Sequence, residues 1–290
     1  MVHKPYAVMA HTDTHEEFYK QFTSRQQIII SPEEQKKIRE AVFIVAGIGA
    51  NGGPAAIALA RMGAENIRLI DHDIVEISNL NRQPYFLSEV GMYKVDALRR
   101  YIKSVNPFAS VDIFRERLNE TNVDEVLNNA DVVIDAMDDY RAKIILSRKA
   151  KEKHIPVVHT SGAGYRCSVT VFFPDVTTYE EMFDLPSLHK DISSIKESDL
   201  LYHRHRVASI IAKGMYPESL IEEMRNPNQP WLTMLPAPFI AGVLAAMEAI
   251  KIVIGRLDKV IAAPKILQID VVNNIYEIFI FKKEKITAYY

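Results

Sequence analysis

Six residues, Gly47-Ile48-Gly49-Ala50-Asn51-Gly52, make a G-x-G-x-x-G run. It follows the apolar stretch VFIVAG and opens GPAAIALARMG, which reads as a helix ending near Gly63. In that setting the glycines let backbone N–H groups approach phosphate oxygens, and the helix N-terminus favours negative charge. Asp71 closes the next apolar run, NIRLID, where an acid can hold ribose hydroxyls. The loop does not say which nucleotide it serves. It lacks the G-K-[ST] ending of an ordinary phosphate-loop NTPase.

Beyond Asp71 the chain leaves the plain dinucleotide pattern with DHDIVEISNLNRQ, residues 71–83. Asn79 can donate and accept beside phosphate or ribose. Arg82 offers a planar fork matched to phosphate oxygens, and Lys94, opening the next helix, adds a point charge. The run DAMDD ends a strand at the carboxyl edge of the sheet, where ligands bind in open α/β folds. Asp138 in it can hold magnesium on phosphates through a hard oxygen. Singly, Arg82 or Lys94 reads as a solvated surface cation, and Asp138 or Asp139 as a helix N-cap. The ordered set points to a polyphosphate.

The elements that must carry these residues alternate. Short β-rich runs at VFIVAG, NIRLID, SVDIF, DVVIDAMDD and IPVVHT are separated by helical patterns, among them KVDALRRYIKSVNP with Val95, Leu98, Ile102 and Val105 on one stripe. Such alternation predicts a parallel, doubly wound sheet. After about residue 160 the rhythm changes. YRCSVTVFF reads as a strand in an antiparallel setting, and KILQIDVVNNIYEIFIFKK as a hairpin around Asn273-Asn274. The expected fold is therefore α/β and Rossmann-like, a parallel N-terminal half continuing into an antiparallel C-terminal half. Ser31-Pro32 followed by Glu33 and Glu34 marks a capped helix start upstream.

The chain has 290 residues, 48% hydrophobic and 25% charged, with a formal net charge of −2. That balance gives no footprint for nucleic acid or a membrane surface. PFIAGVLAAMEAIKIVIG is interrupted by Glu248 and Lys251 and reads as a buried helix. The first eighteen residues lack the long apolar run of a signal peptide, so a cytoplasmic location is the expectation. Cys167 is the single cysteine, which rules out an internal disulfide and a thiolate zinc site.

GIGANGG, LIDHDIVEISNLNRQ, GMYK, DAMDD and an upstream SRQ at residues 24–26 together resemble the ThiF/MoeB/HesA family, relatives of the ubiquitin-activating enzymes. The resemblance runs over roughly residues 20–175 and resumes at GVLAAMEAIKIVIG. It implies ATP and Mg2+ rather than NAD, and an adenylyltransferase that joins a carboxylate to the α-phosphate and releases pyrophosphate. By position, Gly47, Gly49 and Gly52 would line the phosphates and Asp71 the ribose. Asn79, Arg82 and Lys94 would clamp the triphosphate, and Asp138 would hold magnesium. Arg25 matches an N-terminal arginine that reaches into a partner subunit's site, which implies a homodimer with Arg25 shared across the interface. On this reading residues 1–40 form an arm carrying the trans arginine. Residues 41–290 form the adenylation domain, with the proline-dotted stretch 175–235 as an irregular acceptor-binding crossover.

The chain departs from the family where cysteines are concerned. It has no pair of C-x-x-C motifs, so no zinc is expected, and no cysteine in FFPDVTTYEEMFDLPSLHKDI to form a thioester. Cys167 reads as a small buried hydrophobe. His203 and His205 in YHRHR read as a solvated basic helix face. The acceptor could be the C-terminus of a ubiquitin-like or sulfur-carrier protein, or a peptide or small acid. Two other readings stand beside adenylation: a catalytically silent interaction subunit, and an NAD-dependent oxidoreductase, for which no Y-x-x-x-K pair is present.

Overall fold

The computed structural model describes residues 14–212, 218–226 and 232–282. Its centre is set by short runs rich in Val, Ile and Phe, of which VFIVA and VVI are apolar throughout and need a sheet covered on both faces. They form β1 (Val42–Ala46), β2 (Asn66–Ile70), β3 (Ser110–Phe114), β4 (Val132–Asp135) and β5 (Val157–Ala163). The sheet continues through β6 (Arg166–Phe172), β7 (Lys265–Asp270) and β8 (Ile275–Ile280). The spatial order is β3-β2-β1-β4-β5-β6-β7-β8. Pairings from β3 to β5 are parallel and those from β5 to β8 antiparallel. Parallel neighbours need crossovers, and these are α3 (Gly52–Arg61), α4 (Lys94–Val105), α5 (Val123–Val126) and α6 (Tyr140–Glu152). The Asn273-Asn274 turn joins β7 to β8, with Asn274 at φ +55°.

Two cores lie on opposite faces of the sheet. Phe43 and Val45 of β1 point into one, with Leu59, Leu98 and Ile102 from the helices. Ile44 and Ala46 point into the other, with Val126, Ile145 and Leu146. The apolar stretch near the C-terminus forms α10 (Pro236–Ile254), long and apolar enough to cross a bilayer by length and composition. Ala241, Ala245, Ala246 and Ala249 are wholly buried, and the helix packs on α3, β5 and β6, as a core helix does. Upstream, α1 (His15–Phe22) and α2 (Pro32–Glu40) each begin with a capping box, from Thr14 and from Ser31. Residues 1–13 of the expected arm lie outside the described residues.

The stretch expected to be irregular contains α7 (Tyr179–Phe183), α8 (Glu197–Ala212) and α9 (Glu218–Arg225). Among the described residues Pro186 falls between α7 and α8, so it punctuates rather than prevents a helix. Residues 213–217 and 227–231 of that stretch lie outside the described residues. His203 corrects a second expectation. It is wholly buried, with Nε2 3.2 Å from Ser187 Oγ and its ring edge-on to Tyr140. Burial holds its pKa down at about 4, so it carries no charge at neutral pH. His205 is exposed as expected.

Candidate active site

The strand order reverses between β1 and β4, which leave for opposite sides of the sheet and open a crevice at their carboxyl ends. Gly47 lies at that point with φ +78°, a backbone conformation that side chains rarely allow. A Cβ there would fall 2.8 Å from Met137 N and 2.9 Å from the Ala136 carbonyl. The glycine loop and the loop after β4 are therefore in contact. A Cβ on Gly52 would lie 1.8 Å from the Gly47 oxygen, so α3 must begin with glycine for the loop to turn. Gly49 is different: a Cβ would meet only the Gln83 amide, at 3.8 Å. The opening above it is where a phosphate can come close.

Asp71 lies just past β2 and braces this loop. Its Oδ2 accepts from Ile48 N at 2.8 Å and its Oδ1 from Asp73 N at 2.8 Å. Burial raises its pKa, with the Lys94 charge opposing. Tyr85 Oη donates to the Ile48 carbonyl at 2.7 Å on the other side. Lys94 opens α4 and is buried, its ammonium 2.7 Å from Asp73 Oδ2. Burial pushes the Asp73 carboxyl up, but Lys94 outweighs it and holds the group below its ordinary range.

Asn79 is buried in the 3-10 turn Ile77–Asn79, its Oδ1 accepting from Glu76 N at 3.1 Å. Its Nδ2 makes only a 3.4 Å contact to Ser78 Oγ. Half of this amide is thus a cap, and the donating half remains for a ligand. Arg82 ties one nitrogen to the Ser78 carbonyl at 2.6 Å and Asn81 Oδ1 at 3.0 Å. That holds the guanidinium in place, its other donors uncommitted among the described residues. Two buried acceptors beside the glycine loop, Asn51 Oδ1 and Gln83 Oε1, have no partner.

β4 stops at Asp135, so the acids beyond it occupy a loop rather than the strand. Asp139 caps α6 through Ala142 N at 3.1 Å and pairs with Arg117 at 3.1 Å. Asp138 is exposed and in no ion pair among the described residues. An exposed carboxylate on a loop packed against the glycine turn suits magnesium, a hard cation that binds through one or two carboxylates plus phosphates. Among the described residues one trio, Asp71, His72 and Asp73, brings ligand atoms within 4.8 Å of one another. There the Lys94 ammonium already neutralises Asp73.

The structure does not bring Arg25 to this crevice. It is exposed on the 3-10 turn Ser24–Gln26. The neighbouring Gln26 donates to the Met62 carbonyl at the far end of α3. The ten residues of α3 span about 15 Å, so Arg25 lies at the opposite end of that helix from the glycine loop. Cys167 is buried on β6 against Ala237 and Ala241, and burial pushes its thiol up to about 12.

Several residues of the region were not singled out from the sequence. Asp73 is the second acid of DHD, and its signal was only that proximity. Asp135, Lys143 and His159 form a buried cluster under the Asp138 loop. Lys143 Nζ is 3.0 Å from both Asp135 oxygens, and His159 Nδ1 is 3.1 Å from Oδ2. Burial would raise the Asp135 pKa, yet Lys143 and His159 bring it down to about 2. Burial and the Lys143 charge lower that of His159. Nothing in a linear sequence links positions 135, 143 and 159.

The profile of the ThiF family matches residues 23–287. The chain is 32% identical over 155 residues to the SAMP-activating enzyme E1 of Haloferax volcanii, covering 53% of this chain and 57% of that protein. It is 29% identical over 232 residues to the probable molybdopterin-synthase adenylyltransferase of Porphyra purpurea, covering 78% and 51%. It thus spans about half the length of these curated relatives. The crystal structure of E. coli MccB with ATP superposes with a TM-score of 0.65 at 19% identity, over 93% of this chain and 71% of that one. At that identity the likeness is one of fold.

Proposed function

The chain belongs to the ThiF family, and on that premise we propose that it is an ATP-dependent adenylyltransferase acting on a carboxylate. The observation that carries the reading is that the glycine loop touches the loop after β4, is braced by Asp71, and has the Gln83 amide, next to Arg82, above Gly49. Names among its relatives, an E1 activating enzyme and an adenylyltransferase, support the same chemistry.

The substrate carboxylate oxygen attacks the α-phosphorus of ATP. The bond from that phosphorus to the bridging oxygen breaks, and pyrophosphate leaves with the electron pair. The products are an acyl-adenylate and pyrophosphate, and no general base is needed because the acid is already ionised. The obstacle is charge. Two like unit charges about 4 Å apart repel by about 4 kcal/mol at an effective dielectric near 20. Lys94 and Arg82 oppose that repulsion and hold the charge developing at the α-phosphate. Backbone amides around Gly49 orient the phosphates, and Asp71 leaves lone pairs for the ribose. Magnesium, when bound at Asp138, neutralises phosphate charge.

Arg25 enters this scheme from a second copy of the chain. Its position at the far end of α3 supports an in-trans role. Exposed apolar side chains accompany it and the Asn79–Arg82 segment: Ile28 and Ile29 beside Arg25, and Ile77, Phe86 and Leu87 around the segment. Exposed apolar groups of this size favour an interface. The acceptor is a protein or peptide C-terminus or a small acid. With no cysteine other than the buried Cys167, the adenylate passes on without a thioester on this chain.

Thermal melting tests the nucleotide class. ATP with magnesium at a hundred times its Kd should stabilise the protein by about 2.7 kcal/mol. Stabilisation by NAD and not by ATP would sink the reading.

A further inference from the structure

The Asp135–Lys143–His159 cluster takes no part in the chemistry above, and its placement is unusual. Asp135 is the last residue of β4, and His159 is its cross-strand partner on β5. Lys143 lies one turn into α6. All three are at least nine-tenths buried. Asp135 Oδ1 also accepts from Met137 N at 3.2 Å. One carboxylate therefore ties together a strand end, the loop that follows, the next helix and the neighbouring strand. The loop it ties is 136–138. From the other side Gly47 presses on the same loop at Ala136 and Met137. The His159 ring is itself fixed between Phe172 and Tyr179, with centroids 6.2 and 5.1 Å away.

A buried ion pair is a poor way to gain stability. Apolar residues of similar volume often serve as well or better, because the charges lose their hydration. Charged groups at this junction are better explained by what they fix. Hydrogen-bonded partners behind a metal ligand orient it, and their loss typically weakens metal binding. Among the described residues Asp138 has no ion-pair or side-chain hydrogen-bond partner, so the loop backbone sets its direction.

We propose that Asp135, Lys143 and His159 are positioning residues that hold the 136–138 loop so that the Asp138 carboxylate faces the phosphates lying on the glycine loop. The inference rests on the adenylation reading for its metal and nucleotide.

The test uses full-length protein carrying Asp135→Asn with Lys143→Met, which removes both charges together and leaves no buried ion unpaired. His159→Leu is the second variant, should the double one fail to fold. Circular dichroism and melting establish folding. Amide hydrogen exchange of residues 136–139 is then measured without nucleotide, and manganese binding in the presence of ATP is followed by electron paramagnetic resonance. The expected result is a folded variant with faster exchange confined to that loop. Its manganese half-saturation should be raised about tenfold or more, with metal-free ATP binding close to wild type. A folded variant with wild-type loop exchange and wild-type manganese affinity overturns the proposal. Wild-type protein that binds no ATP at all signals failure of the adenylation reading instead, and the nucleotide-free exchange then still decides whether the cluster holds the loop.

Discussion

Lys94 Nζ and Asp73 Oδ2 are 2.7 Å apart, yet the two side chains live in different surroundings: the lysine is 6% exposed and the aspartate 49%. The lysine is buried at the start of α4 and the acid looks outward. The pair therefore presents a cation that cannot turn away into solvent.

That asymmetry sets opposite costs for the two partners. In Lys94→Met the orphaned Asp73 can be hydrated, so the loss of stability should stay near 1 kcal/mol or below. Asp73→Asn leaves a buried ammonium with a weaker partner and should cost about 1–3 kcal/mol. Activity should rank the other way, with Lys94→Met losing about a hundredfold or more in acceptor-dependent ATP–pyrophosphate exchange. Urea titrations beside exchange assays would show this. Equal losses in both variants on both scales would reject it.

The glycines of the loop should separate folding from binding. Gly52→Ala puts a methyl 1.8 Å from the Gly47 oxygen and should destabilise the protein even without nucleotide. Gly49→Ala meets nothing closer than the Gln83 amide at 3.8 Å and should melt like the wild type. Its methyl, however, occupies the approach to the phosphates, so stabilisation by ATP with magnesium should shrink sharply. Full ATP stabilisation of Gly49→Ala would mean that the phosphates lie elsewhere.

Arg25 tests assembly and mechanism together. As a mere surface arginine, its replacement by Ala would change stability by less than about 0.5 kcal/mol and leave activity alone. As a cation supplied to a neighbour's triphosphate, its loss should lower exchange about a thousandfold, in the manner of arginine fingers. Arg25→Ala and Asp138→Ala homodimers should both be inactive. Mixed subunits should regain activity, because one of the two sites then holds Asp138 from one chain and Arg25 from the other. Proven heterodimers with no recovery would count against the shared site.

Cys167 should be chemically quiet. With its thiol pushed up to about 12, almost none is thiolate at neutral pH, and the thiolate is the reactive form. A thiol reagent should label the native protein only as fast as it unfolds locally. Cys167→Ala should retain exchange, with a packing loss of about 1 kcal/mol. Rapid labelling of folded protein, or a folded Cys167→Ala variant without exchange, would show a catalytic thiol.

Much of this molecule was legible in the chain itself. The apolar runs at 42–46 and 132–134 read as doubly covered strands, and the alternation of short β-rich runs with helices points to a parallel sheet. The G-x-G-x-x-G run and Asp71 belong to one local β-α-β unit, so their spacing along the chain fixes their spacing in space. Ser31 announced its helix because a cap is satisfied within one turn. The rest depended on contacts that local sequence does not encode. Asp135, Lys143 and His159 meet only because β5 pairs with β4 and α6 folds back over both. His203 in a charged stretch is buried because Ser187 and Tyr140 close over it from other segments. The resemblance alone already sent Arg25 to a partner's site. The docking of its turn onto the far end of α3, through Gln26 and Met62, is what keeps it from its own glycine loop, since a helix is a rigid spacer whose two ends cannot share a ligand.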